Sequence, residues 1–239
     1  MSMQLIILLA LLLTAAIVSG ALLCRKHARQ TANRLYGAWD DIYLLLLKRC
    51  EALRKVAQML RVIMPNEPHI TGNFDFLLDK MSQTSDVRTH AAIQNGLLLT
   101  LKTAIEWCHQ AGSETVGPEL RKSVRAVGVV DSNLVALRDR HNRQARFYSI
   151  VFCSFPACWL LPSELRGGRS TFQMVLPWWS IDPLAYGAIS AEELHKYMAD
   201  NQVPLILAPS QEGKPGAKRV ISVARQDGTT GAPKMRKVV

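Results

Sequence analysis

The sequence lacks the residue patterns by which most enzymes are recognised. Its six histidines, at 27, 69, 90, 109, 141 and 195, form neither an HExxH pattern nor any pair four residues apart, so no helix carries metal ligands at the needed spacing. There is no GxSxG and no GxGxxG after a strand. There is no Walker A either: Gly213-Lys214 is followed by Pro215, and no glycine stands five residues upstream of Gly213. Serine-hydrolase, dinucleotide and P-loop phosphate chemistry are therefore unsupported. A disulfide framework is missing too, because Cys24, Cys50, Cys108, Cys153 and Cys158 are odd in number and scattered, which suits a reducing compartment. Cys153 and Cys158 have no second pair and no nearby histidine, and read as two buried apolar cysteines rather than zinc ligands. The expectation is no catalytic residue, no cofactor, no metal and no enzymatic activity. No internal repeat of fixed period is present.

Charge is absent from Leu5 to Leu23, where only Thr14, Ser19 and Gly20 interrupt an apolar run. A helix of about 20 residues rising 1.5 Å each crosses a hydrocarbon core of about 30 Å, which predicts a transmembrane anchor over residues 1–24. A cleaved signal peptide fits less well, since MSMQ has no basic residue and the apolar run is long. A lipoprotein signal at Cys24 would want a small residue before it, and Leu23 stands there. The basic flank Arg25-Lys26-His27-Ala28-Arg29 places residues 25–239 in the cytoplasm by the positive-inside tendency. The 239 residues allow one domain with a real core plus an anchor and a tail. The net charge of +10 suggests an anionic neighbour, phospholipid before nucleic acid.

Proline is absent from Ala32 to Met64, and Gly37 is the only glycine there. Leu35, Ile42, Arg49, Val56 and Ile63 recur every seven residues, interleaved with Trp39, Leu46, Leu53 and Leu60, so steps of four and three predict a long helix with one buried seam. Within it, AWDDIYLLLLKRCEAL carries four successive leucines. Leu46 falls on the seam and Leu45 widens it, while Leu44 and Leu47 point elsewhere and predict neighbours on more than one side. Pro65 and Pro68, in PNEPHITGN, end the helix. A second helical stretch covers about Phe74 to Gln110, with Phe74, Leu77, Leu78, Met81, Ile93, Leu97, Leu101, Ile105 and Cys108 on one face; its polar middle, SQTSDVRTH, is a candidate break near residue 85. Ala111-Gly112-Ser113 and Gly117-Pro118 mark a turn, and a third helix runs from about Glu119 to Phe152. The fold class is all-α: an antiparallel bundle of three long helices, or four if the middle one splits, over residues 25–165.

The apolar run Ile150 to Leu161 is too short to span a membrane and contains Pro156; it fits a membrane-surface element or the end of the bundle. Residues 166–208 read as irregular, with Trp178-Trp179 suited to a headgroup layer. The capping box Ser190-Ala191-Glu192-Glu193 opens a short helix to about Met198. Residues 209–239 read as a disordered basic tail, in which Lys214, Lys218, Arg219, Arg225, Lys234, Arg236 and Lys237 face only Glu212 and Asp227.

Among polar residues, Asp40 and Asp41 are no catalytic dyad, because neighbours on a helix point about 100° apart. Arg138, Asn142 and Arg146 share a helix face beside His141. Such a face meets phosphates of lipid or nucleic acid, or else forms hydrogen bonds across the bundle or faces water. Arg49 interrupts an apolar seam, and a buried charge needs a partner; Asp131 is the candidate.

Taken together, these residues resemble the LemA family of bacterial membrane-anchored helical proteins. In that family a transmembrane helix leads into a segment of the type A-W-x-x-I-D-x-x-L-K-R-R, with which Ala38, Trp39, Ile42, Leu46 and Arg49 are in register. Further on, Asp131, Arg138, Asn142, Tyr148 and Phe155-Pro156 match the family's acidic residue, its R-x-x-Y-N pattern, a later tyrosine and F-P. The resemblance covers about residues 5–165. Tyr43, Arg54, His141 and Ser149 depart from the pattern, and residues 166–239 have no counterpart in it. It implies a helical bundle tethered to the bacterial inner membrane and no particular reaction. The expected function is a membrane-anchored scaffold with an unidentified protein partner in the membrane; the alternative is a tethered binder of anionic lipid or nucleic acid, with nucleic acid the less favoured.

Overall fold

The computed structural model describes residues 3–110, 117–175 and 190–208. Trp178-Trp179, the turn at Ala111-Gly112-Ser113 and the basic segment 209–239 lie outside the described residues. Every regular element among those described is helical: α1 (Met3–Ile63), α2 (Pro68–Ser82), α3 (Val87–Gln110), α4 (Pro118–Phe152), α5 (Ala157–Leu160), α6 (Ser163–Arg166) and α7 (Ala191–Asp200).

The apolar run and the long seam helix form one helix, α1. Nothing between Leu23 and Ala32 breaks it, since CRKHARQT holds neither proline nor glycine. Its 61 residues span about 90 Å. It stops one residue before Met64-Pro65, where the proline disfavours helical backbone in the residue preceding it. Pro68 has the opposite role, opening α2 at the position where its missing N–H costs no bond. The middle stretch does split, into α2 and α3. Asp86 starts α3, its carboxylate accepting from Thr89 N at 2.8 Å and Thr89 Oγ1 at 2.9 Å.

The chain divides into two compact units, with α1 and α4 contributing to both. Among the described residues, the first unit comprises 3–39 and 140–170, and the second comprises 40–110, 117–139, 171–175 and 190–208.

In the second unit, the predicted seam residues Ile42, Leu46, Leu53, Val56 and Leu60 are buried. Val56 and Leu60 meet Leu101, Ala104, Ile105 and Cys108 of α3 and Leu120 and Val124 of α4 around one small apolar space. The nine face residues expected over 74–108 are all buried, yet α3 buries far more than one face: every residue from His90 to Lys102 is buried. The cover on its other side comes from residues 166–208, expected to be irregular apart from the short helix to about Met198. Phe172 and Met174 are buried, and Leu194 and Met198 of α7 pack on Leu98 and Leu99, with Val175, Val203 and Leu205 around them.

Helix α7 has the expected capping box, Ser190 Oγ accepting from Glu193 N at 3.1 Å and Glu193 Oε2 from Ser190 N at 2.8 Å. A carboxylate oxygen of Glu106 also accepts from Ala191 N at 2.7 Å, where negative charge suits the helix dipole. At the other end Gln202 takes a left-handed φ of 52°, and Val203 N donates to Met198 O at 2.9 Å. Residues 203–208 have no regular structure, and Ile206 N among them donates to Ala92 O of α3 at 3.2 Å. Gly96 permits this approach, because a Cβ built there would lie 2.0 Å from Ile206 O.

Leu44 and Leu47 correct an expectation. They are 59 % and 42 % exposed, so the leucine run has a buried seam and an open flank rather than neighbours on several sides.

In the first unit, Ala28, Ala32 and Leu35 of α1 form a core with Ala145, Tyr148 and Phe152 of α4 and with Leu161 and Leu165. His141 lies beside Trp39, with ring centroids 5.9 Å apart, while Arg25 Nε donates to Leu160 O at 2.9 Å. Cys153 and Cys158, expected to be buried, are half-buried. From Met3 to Gly20 every residue is exposed.

Candidate functional site

The densest arrangement of polar groups is inside the second unit, on residues that the helical spacing turns inward. Arg49 of α1 is 0 % exposed and its Nε donates to Asp131 Oδ1 of α4 at 2.6 Å, with Nη2 3.4 Å from Oδ2. Arg49 Nη1 donates to Gln94 Oε1 of α3 at 2.5 Å. Gln94 Nε2 in turn donates to the Met81 sulfur of α2 at 3.5 Å and the Cys50 sulfur at 3.7 Å. His90 Nδ1 lies 3.0 Å from Met81 Sδ; a thioether only accepts, so that contact calls for the proton on Nδ1. Tyr43 closes the group, its ring edge-on to His90 with centroids 5.5 Å apart.

All four long helices supply a member of this network. A paired, hydrogen-bonded ion pair is the form in which buried charge is tolerated. Burial governs the titration of its neighbours. It pushes the Cys50 thiol up, against the lowering effects of the Gln94 contact and of Arg49 and Arg54. It pushes His90 down, opposed by Asp86 and by a backbone bond at Thr84. A thiol kept protonated is a poor nucleophile. With Arg49 fully enclosed, a soluble substrate reaches the group only if the helices part. Among the described residues, no three of His, Cys, Asp and Glu converge as a metal ligand set.

The pairing of Arg49 with Asp131 was legible in the sequence. Gln94, His90 and Asn95 were missed, although polar residues inside the apolar run HAAIQNGLLLTLK were the available signal. Asn95 is fully buried and joins the C-terminal cover to α3. Its Nδ2 donates to Pro204 O at 2.8 Å and Gln173 O at 3.1 Å, and its Oδ1 accepts from Val175 N at 2.8 Å.

The remaining predicted site residues do not form one surface. Ile42 and Leu46 are core residues of the second unit. Arg138 is engaged, Nη1 donating to Met174 O at 3.1 Å and the same guanidinium pairing with Asp139 at 2.8 Å. Asn142 is half-buried and Arg146 exposed.

In the first unit, Trp39 and His141 are buried side by side, and His141 Nε2 lies 3.4 Å from Ser170 O. Burial lowers the His141 pKa, partly offset by that backbone contact. Tyr148 is buried and its hydroxyl donates to Leu165 O at 2.7 Å, with the Arg169 guanidinium over its ring at 5.0 Å and over Tyr36 at 5.4 Å. Phe155 and Pro156 are exposed, just before α5. Comparison with models of known protein families, with curated proteins and with solved structures finds no match to this chain.

Proposed function

We propose that this chain is a single-pass membrane protein whose helical domain is a docking scaffold without catalytic activity. One observation carries the proposal: α1 is an unbroken helix, uncharged and exposed over its first turns, then buried along a seam from Ala28 to Leu60. It is the one helix among those described that is long and apolar enough to cross a membrane. The finer proposal keeps the antiparallel LemA-like bundle, a bacterial inner membrane, residues 25–239 in the cytoplasm, and a protein partner within the membrane. The enclosure of Arg49, Asp131 and Gln94 speaks for a role in fixing helix register rather than in chemistry.

The test is extraction and labelling of the full chain in cells. The protein should stay with membranes at alkaline pH and be released when Leu5–Leu23 are deleted. Cys50 and Cys108 are too buried to report sidedness, so Val129→Cys, on an exposed position, is the reporter. An impermeant maleimide should label it, above the parent's background, only after permeabilisation. Labelling of intact cells would reverse the orientation, and release of the parent at alkaline pH would remove the anchor.

A second reading, contact with anionic lipid, is favoured by the charge distribution. The described residues of the first unit hold nine Arg and Lys against a single carboxylate, Glu164. The engagement of Arg138 speaks against a continuous basic face for nucleic acid.

A further inference from the structure

The anchor leaves one apolar surface of the first unit unexplained. Trp159 is 76 % and Phe155 73 % exposed, and their rings meet edge to face with centroids 5.4 Å apart. On the last turns of α4, Phe147, Ile150 and Val151 are exposed as well, at spacings of three and four that put them on one face. Five large apolar side chains within thirteen residues are thus exposed, which water disfavours and which marks a protein or membrane contact.

Position and charge decide between these occupants. Arg25 stands two residues beyond Leu23, the end of the uncharged run, which is about 3 Å along the helix axis. Its Nε holds the carbonyl of Leu160, the residue next to Trp159, so the aromatic pair is fixed within one arginine's reach of the end of the apolar run. If residues 5–23 span the bilayer, that height is where hydrocarbon gives way to headgroups, the level at which tryptophan settles. The surroundings are cationic: the described residues of this unit hold nine Arg and Lys against one Glu, whereas those of the second hold thirteen against fourteen Asp and Glu. Arg166 resembles Arg25 in being exposed and held by Nε, on Leu161 O at 2.7 Å. Anchoring through Nε leaves the two terminal nitrogens of each guanidinium for phosphate oxygens.

We propose that Phe155 and Trp159, with the exposed end of α4, form a second membrane contact that lies in the bilayer interface beside α1, where Arg25 and Arg166 bind anionic phospholipid headgroups. The proposal rests on the membrane-anchor reading, and its test separates the two. The full chain is reconstituted in nanodiscs of phosphatidylcholine alone, or of phosphatidylcholine mixed with phosphatidylglycerol. A photoreactive p-benzoylphenylalanine replaces one exposed residue at a time: Trp159, Phe155, Leu13 in the apolar run, or Val129 in the second unit. After irradiation, mass spectrometry reads the fraction joined to lipid.

Positions 155, 159 and 13 should join to lipid and position 129 should not. Yield at 155 and 159 should rise roughly fivefold with the anionic lipid and fall back with salt, while position 13 stays unchanged. Lipid adducts at 13 without any at 155 and 159 would overturn the second contact and leave the anchor standing. Adducts at 155 or 159 to protein instead of lipid would make this surface a protein interface and also overturn it. Equal yields with and without phosphatidylglycerol would remove the headgroup site. No adduct at position 13 would remove anchor and second contact together.

Discussion

Arg49 and Asp131 are 82 residues apart in the chain and meet at 2.6 Å in the interior of the second unit, with Gln94 on the other side of the guanidinium. Removing one partner strands a charge away from water, whereas removing both does not. Asp131→Ala should therefore cost about 3–5 kcal/mol in denaturant unfolding, and the double replacement Arg49→Met with Asp131→Leu should recover most of it. An unchanged midpoint in Asp131→Ala would contradict the pairing.

The leucine run offers a test within one helical turn. Leu46 is fully buried and Leu44 is 59 % exposed. Leu46→Asp places a carboxylate in the core and should unfold the second unit, a loss of several kcal/mol visible by circular dichroism. Leu44→Asp should change stability by less than about 0.5 kcal/mol. Comparable losses at the two positions would mean that the flank is covered.

Gly96 tests the C-terminal cover. Gly96→Ala places a methyl group against Ile206 O and should cost about 1–3 kcal/mol. Hydrogen exchange of the Ile206 amide should accelerate most, since that N–H bonds to Ala92 O. Unchanged protection at Ile206 would show that residues 203–208 do not lie there.

Acid should weaken the fold through its buried histidines. Burial lowers the pKa of both His90 and His141, so below the ordinary histidine value of about 6.5 the unfolded chain takes up protons that the folded one refuses. Their contribution is fully present above that value and is lost as pH falls through the lowered folded values. The melting temperature should drop between pH 7 and pH 5. His90→Leu should be less stable at neutral pH but show a shallower drop. A slope unchanged in both His90→Leu and His141→Leu would place the effect elsewhere.

Periodicity made the helices legible, and one charged residue in an apolar seam was enough to suggest the Arg49–Asp131 pair. The rest of the site was hidden for a physical reason. Residues 171–175 and 203–208 have no regular structure and no helical period, so nothing in their own composition says that they cover α3. What shows it is the fully buried amide of Asn95, whose three bonds go to Gln173, Val175 and Pro204. Leu44 and Leu47 misled in the opposite direction. A leucine run looks like core on every side, yet a helix surface readily leaves single apolar side chains in water.

The Asn95 clasp also sets an order of events during synthesis. Helix α3 leaves the ribosome almost a hundred residues before Ile206, the last of the described residues bonded to it, an interval of roughly 5–20 s at ordinary elongation rates. Throughout that time Leu98 and Leu99 have no cover, although the rest of α3 can already pack. The nascent chain is therefore a natural client for a holding chaperone, and a ribosome stalled after residue 170 should carry an α3 far easier to cleave than that of the finished protein.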